Sequence, residues 1–232
     1  MSRAIIFDVD GTLAETEETH RKAFNRAFEG AGLSWSWDQD LYRALLAVTG
    51  GKERIRHFIE NYGAEGAPKD YLDAFIRELH AEKTTAYTQM VKGGELELRP
   101  GVRSVIAAAR QKGYRLALAT TTTPANIDAL LAATFGDTGN SLFEVICAGD
   151  SVPNKKPAPD VYLRALEELD LPAGSCVAVE DSRNGLLSAC AAGIATIVTP
   201  GIYTRDESFD EAALVIDNLE SLDFAAIEAL FP

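Results

Sequence analysis

Two carboxylates one residue apart, Asp8 and Asp10, close an apolar run and are followed at once by a glycine in Ile5-Ile6-Phe7-Asp8-Val9-Asp10-Gly11-Thr12-Leu13. Two acids at the end of a buried strand need positive charge beside them. A hard divalent cation such as Mg²⁺, bound through oxygen, supplies it. Gly11 lets the chain turn sharply and exposes backbone N–H groups near the acids. Asp-Gly is also a common surface turn, so the stretch acquires chemical meaning only with partners. Three other stretches offer them. Thr120 begins the run Thr120-Thr121-Thr122-Thr123; a hydroxyl there can donate to a phosphate oxygen, and Thr123 before Pro124 also suits a helix N-cap. Lys155-Lys156-Pro157-Ala158-Pro159 carries a lysine pair. Such a pair is ordinarily a solvated feature, but here the prolines stiffen the backbone that aims it. Val177-Ala178-Val179-Glu180-Asp181-Ser182 is a second apolar run ending in two acids, of which Asp181 or Ser182 could instead cap the next helix. In one parallel sheet, Asp8, Asp10, Glu180 and Asp181 can share a cation site while Lys156 and Thr120 address a bound phosphate.

The elements that must position these residues follow from periodicity. After the first strand the pattern is helical: Glu15 to Phe28, Asp38 to Val48, a helix after Thr49-Gly50-Gly51-Lys52 running to about Tyr62, and Tyr71 to about Met90. From Gly101 strands and helices alternate. Strands are predicted over 114–120, 143–147 (leading into Ala148-Gly149-Asp150), 176–179, 195–198 and 214–216, with helices between them. Near-continuous apolar strands alternating with helices mean a parallel sheet covered on both faces. The predicted fold class is therefore α/β, a doubly wound, mostly parallel, Rossmann-like core sheet with an inserted all-helical cap domain. Residues 1–14 and 93–232 form the expected core, and residues 15–92 the cap with its hinges.

The composition narrows the partners. The chain has 232 residues, 47% of them hydrophobic, and a formal net charge of −13. That size and apolar content fit a globular protein. The acidity makes nucleic acid and anionic membrane poor partners. No apolar run approaches the ~20 residues of a membrane span. Arg3 is followed by strand and acids rather than by a long apolar region, which predicts no signal peptide. Cys147, Cys176 and Cys190 are far apart and lack CxxC spacing. They read as reduced core thiols in a cytoplasmic protein.

DVDGT, the strand ending in Thr120, Lys156-Pro157 and Glu180-Asp181 resemble the four motifs of the haloacid dehalogenase superfamily. The helical insert resembles the cap of the subgroup that contains β-phosphoglucomutase and phosphoglycolate phosphatase. Ala14-Glu15-Thr16-Glu17-Glu18-Thr19-His20, Thr49-Gly50-Gly51-Lys52-Glu53-Arg54-Ile55 and the Ala119–Thr122 run most resemble CbbY-type sugar-phosphate phosphatases. The resemblance implies Asp8 as nucleophile through an aspartyl phosphate and Asp10 as general acid and base. It also implies Thr120 and Lys156 on the phosphoryl group, and a Mg²⁺ site from Asp8, Glu180, Asp181 and the main-chain carbonyl of Asp10. Members of the CbbY type are associated with hydrolysing xylulose 1,5-bisphosphate to xylulose 5-phosphate, which removes an inhibitor of rubisco in the Calvin cycle. A phosphomutase, a monophosphate phosphatase or a sugar-phosphate-binding regulatory protein would use the same fold.

The cap should choose the substrate. Glu17 and His20, three apart, share one helix face just beyond the catalytic loop. Thr49-Gly50-Gly51-Lys52 offers free N–H groups at a helix start, an anion site without P-loop spacing. Arg43, Lys52, Arg54 and Arg56 stand against Glu53 alone and suit a second phosphate. His80 and Lys83 repeat the three-residue spacing on the long cap helix, and Thr121 and Thr122 extend the threonine run toward the same pocket. The expected partner is a small sugar phosphate, met by a monomer.

Overall fold

The first strand, β1 (Ala4–Phe7), lies at the centre of the sheet because it is apolar on both faces. Ile5 and Phe7 join one buried cluster, whereas Ala4 and Ile6 join another on the opposite face. The computed structural model describes residues 2–94, 96–149 and 151–232. Asp150, at the exit of an expected strand, lies outside the described residues.

After β1 the chain makes four helices: α1 (Glu17–Gly30), α2 (Gln39–Leu45), α3 (Gly51–Asn61) and α4 (Leu72–Lys92). Strand–helix alternation follows: α5 (Val102–Gln111), β2 (Arg115–Ala119), α6 (Pro124–Phe135), β3 (Val145–Cys147), α7 (Asp160–Leu169), β4 (Cys176–Glu180), α8 (Arg183–Ala191), β5 (Ala195–Val198), β6 (Leu214–Val215) and α9 (Phe224–Glu228). The sheet order is β3-β2-β1-β4-β5-β6, with every pairing parallel. Val102, Val105, Ile106 and Ala109 of α5 pack on the Ile5/Phe7 face. Val161, Tyr162 and Ala165 of α7 and Ala189 of α8 cover the other face. The sheet is doubly wound, as the apolar strands required.

The topology fixes where chemistry can sit. From β1 the chain moves outward to β2 and β3, then returns to place β4 on the other side of β1. The carboxyl ends of β1 and β4 therefore flank the switch point, where doubly wound sheets open a crevice. Asp8 and Asp10 leave one of these strands, and Glu180 and Asp181 end the other.

The four helices after β1 have an aromatic core of their own. Phe24, Phe28, Trp35, Trp37, Tyr42 and Phe58 pack together, with Trp37 4.6 Å from Phe24 and 5.4 Å from Phe58 between ring centres. The two linkers joining these helices to the sheet meet beside the turn after Asp10: Ala14 bridges Leu98, and Arg99 N–H donates to Leu13 O at 2.8 Å. Cys147 and Cys176 are buried and free, and Cys190 is free and half-buried. Among the described residues no helix is long and apolar enough to cross a membrane.

Candidate active site

Lys156 joins the ends of three strands. Its ammonium donates to Asp8 Oδ1 at 2.6 Å after β1, to Ala119 O at 2.8 Å on β2, and to Glu180 Oε1 at 2.6 Å on β4. All three of its N–H donors are used. Tyr162 donates to the same Glu180 oxygen at 2.6 Å. Burial alone would lower the Lys156 pKa, but Asp8 and Glu180 outweigh it and hold the lysine charged, above its ordinary value. The lysine expected to address a phosphate thus sits against the expected nucleophile.

Asp8, Glu180 and Asp181 are all buried, and each offers an oxygen within 4.8 Å of the others. Burial pushes Asp8 up to about 8 even though Lys156 pulls it down. Burial, with Asp8 and Glu180 as neighbours, also raises Asp181 well above the carboxylate range. Three crowded, buried carboxyls, each with an oxygen to offer, are a donor set that a hard divalent cation fits. Gly11 makes the approach possible: its φ is +81°, and a Cβ there would stand 2.2 Å from Asp181 Oδ2. Ser182 takes the capping role, accepting from Gly185 N at 3.2 Å, which leaves the Asp181 side chain to the cluster.

The Asp10 side chain turns away from that cluster, so within the expected metal set its carboxylate stands apart. Thr16 Oγ1 donates to Asp10 Oδ1 at 2.6 Å, and His20 Nε2 lies 2.8 Å from the same oxygen. Lys83 Nζ is 2.7 Å from His20 Nδ1. An ammonium can only donate, so Nδ1 accepts and Nε2–H donates to Asp10. The imidazole also stacks on Tyr87 at 4.1 Å. Burial works against ionisation of Asp10, but His20, Thr16 and Lys83 together hold its carboxyl well below the usual range. Burial lowers Lys83 to about 8.

Thr120 and Thr122 are buried and present hydroxyls to the same cavity. Thr120 Oγ1 accepts from Thr122 N at 3.2 Å, and Thr122 Oγ1 accepts from Asn126 Nδ2 at 2.9 Å. Each accepts one bond from behind, and each hydroxyl proton is available to donate to an anion. Thr121 lines the cavity beside them. Thr123 stands at the N-cap of α6, yet its hydroxyl makes no capping bond.

The helical segment supplies the opposite wall. Glu17, His20, Arg54, His80 and Lys83 line it, together with Thr49, Gly50 and Gly51 at the start of α3. Gly50 has φ +97° and leads into the helix without a side-chain cap. Tyr42 donates to Glu17 Oε2 at 2.7 Å and accepts from Arg54 Nη1 at 3.2 Å. Arg54 Nε donates to Leu45 O at 3.2 Å. From the core, Asn184 Nδ2 donates to Thr49 Oγ1 at 3.1 Å and Ala47 O at 3.3 Å, and Tyr203 donates to Glu18 Oε2 at 2.7 Å.

One expectation changes. The basic residues expected at a second phosphate do not converge. Arg54 lines the cavity and Lys52 does not; they are two apart on a helix, and such residues point to nearly opposite sides. Arg43 is half-exposed beside Asp206 at 3.8 Å, and Arg56 pairs with Glu60 and Asp73 at the surface. Glu180 keeps its expected place: fully buried, it anchors Lys156 and offers an oxygen within 4.8 Å of those of Asp8 and Asp181. Tyr42, Asn126 and Asn184 carry no motif and were not legible in the sequence. Thr16 had one signal, its place six residues after Asp10 on the exit from the acidic turn.

The sequence pattern of the haloacid dehalogenase-like hydrolases matches residues 2–193. Protein CbbY of Rhodobacter capsulatus is 52% identical over 228 residues, 98% of each chain. The crystal structure of CbbY from Rhodobacter sphaeroides in complex with phosphate is 48% identical, with a TM-score of 0.93 over 98% of this chain and 100% of that one. A D10N mutant of CbbY from Rhodobacter sphaeroides, crystallised with xylulose-(1,5)bisphosphate, is also 48% identical, with a TM-score of 0.92 over 97% and 99% of the two chains.

Proposed function

The chain belongs to the haloacid dehalogenase-like hydrolase family and is a phosphatase of it, and we propose that it hydrolyses xylulose 1,5-bisphosphate to xylulose 5-phosphate and phosphate through an aspartyl phosphate on Asp8. The observation that carries this reading is a single cavity lined by cations from both the sheet and the helical segment. Lys156 lines it beside Asp8, and the buried Arg54 lines it from the helical segment. The captured xylulose bisphosphate in the Rhodobacter sphaeroides relative supports the same substrate. In this reading residues 15–92 are the substrate-selecting cap.

Asp8 attacks phosphorus in line, and its carboxylate becomes the acyl phosphate. Lys156 and the Thr120 and Thr122 hydroxyls orient the transferring group and offset its charge. Asp10 gives a proton to the departing sugar oxygen, then takes one from the water that opens the aspartyl phosphate. The His20 and Thr16 hydrogen bonds favour its ionised form, so the geometry drawn here suits the water-activating half of the cycle. Mg²⁺ held by Asp8, Asp181, Glu180 and the Asp10 carbonyl would neutralise charge on the phosphoryl oxygens. Glu17, fixed by Tyr42, is an acceptor for sugar hydroxyls, and Arg54 with the N–H groups at Gly50 and Gly51 receives the phosphate that is not cleaved. We place the enzyme in the cytoplasm as a monomer serving the Calvin cycle.

The test is a phosphate-release screen over sugar mono- and bisphosphates with Mg²⁺. The expected result is highest kcat/KM on a pentulose 1,5-bisphosphate. Preference for a monophosphate, or isomerised sugar phosphate without phosphate release, would replace this reading with a monophosphate phosphatase or a phosphomutase.

A further inference from the structure

Arg99, on the linker that returns the chain from the helices to the sheet, is buried and takes no part in the chemistry above. Of its guanidinium's five N–H donors, those on Nη1 and Nη2 are hydrogen-bonded and Nε is paired with a carboxylate. Nε faces Glu15 Oε1 at 3.3 Å. Nη1 donates to Gly11 O and to Thr199 O at 2.5 Å, with Thr199 Oγ1 at 3.1 Å. Nη2 donates to Pro200 O at 2.9 Å and Asp217 O at 3.2 Å. Four of these acceptors are main-chain carbonyls from three separate segments. A buried guanidinium is costly unless its donors and charge are met, and here both are.

The acceptors converge on the reacting groups. Gly11 O belongs to the peptide immediately after Asp10. Thr199 and Pro200 open the loop after β5, and that loop continues to Thr204, whose hydroxyl donates to Asp181 O at 2.7 Å and accepts from Gly201 N at 2.8 Å. Glu15 lies on the outgoing linker and Arg99 itself on the returning one, where Leu98 bridges Ala14. One side chain therefore touches both linkers, the catalytic turn and the loop behind Asp181.

We propose that Arg99 is a positioning residue: its planar fork holds the turn carrying Asp8 and Asp10 in fixed register with the 199–204 loop behind Asp181, independently of where the cap stands. This rests on the reading of Asp8 and Asp10 as the reacting carboxylates. Lysine cannot replace the fork, since its three donors radiate from one point and cannot span four carbonyls.

The full-length protein with Arg99→Lys and Arg99→Ala tests this, using para-nitrophenyl phosphate with Mg²⁺ so that sugar recognition is not involved. In Arg99→Lys, kcat should fall by about tenfold or more while KM changes by less than about twofold, because misplacement acts on the transition state. Guanidinium ion at tens of millimolar should restore part of kcat in Arg99→Ala and none in the wild type, because it refills the vacated fork. Hydrogen exchange should quicken across residues 8–14 and stay unchanged in β5. Arg99→Lys carries the test alone if Arg99→Ala does not fold. A kcat per folded molecule within about twofold of wild type, or exchange that quickens uniformly, would overturn the proposal and leave Arg99 a general structural prop. A wild type inactive on every phosphate ester would sink the phosphatase reading instead, and exchange in residues 8–14 would still decide the case of Arg99.

Discussion

Replacing Lys83 with methionine should make the protein more stable and less active at once. Lys83 is 4% exposed, with its ammonium 2.7 Å from His20 Nδ1. Burial lowers it from 10.5 to about 8; Arg54 adds to the depression, and Asp10 and Glu17 resist it. That displacement corresponds to roughly 3 kcal/mol against the charged form. The unfolded chain binds this proton more tightly, so between about pH 8 and 10.5 it carries more protons than the native state. Stability contributed by Lys83 therefore rises with pH across that window, and below it the whole cost is present. Methionine keeps the stem and removes the charge. At pH 7 the variant gains roughly 3 kcal/mol and forfeits a hydrogen bond of about 1 kcal/mol. The net gain of about 2 kcal/mol is a rise of roughly 4–8 °C in melting temperature for a chain of this length. Catalysis moves the other way: without a donor on Nδ1, His20 is no longer held with Nε2–H toward Asp10. Losing a hydrogen bond to a charged group costs ~1.5–3 kcal/mol, about tenfold to a hundredfold in kcat. Melting curves of both proteins from pH 6 to 10.5, beside phosphate-release kinetics, provide the assay. The stability gap should close as pH rises from 8 to 10.5. A variant that melts below wild type at pH 7, or keeps its kcat within about twofold, would refute the reasoning.

Asp8→Asn should abolish phosphate release with the melting temperature kept, because the change is nearly isosteric and removes the nucleophile; a clean preparation with substantial turnover would contradict it. Asp181→Asn should lose most of its Mg²⁺ affinity in a calorimetric titration, whereas Asp10→Asn keeps it through the unchanged carbonyl; equal losses would argue against that division. Arg54→Ala should weaken turnover of a pentulose bisphosphate by about 1.5–3 kcal/mol while slow monophosphate hydrolysis changes little. Equal losses on both substrates would mean that Arg54 shapes the cap through Tyr42 and Leu45 rather than reading a second phosphate. Asn184→Ala should lower kcat as well as raise KM, because it releases the Ala47–Thr49 loop from the core and loosens the helices that hold Asp10 ionised; an unchanged kcat would argue against that link.

What could be read in the sequence was whatever strand geometry enforces. Apolar runs that end in Asp8, Thr120 and Asp181 had to share one end of one parallel sheet, and the β1–β4 switch point brought the first and last of them together. The cap was less legible because helix faces depend on rotation. Lys52 and Arg54 look equivalent as a charge pair, but two residues of helix turn them to different sides, and only Arg54 reaches the cavity. Residues such as Tyr42, Asn126, Asn184 and Arg99 have no signal of their own, since their meaning lies in partners distant along the chain. The sharpest case is Asp10. Its place in DVDGT is local, but its protonation is not: Thr16 follows on the linker, His20 sits on α1, and Lys83 comes from α4, 63 residues beyond His20. Burial by itself would oppose ionisation of this carboxylate, and it is the helical segment that reverses the sign. In the proposed mechanism, the proton-transfer group therefore acquires its working state only when α1 and α4 lie over the sheet. On that mechanism, water activation at Asp10 depends on the same surfaces, Asn184 against Thr49 and Tyr203 against Glu18, that hold the helices down.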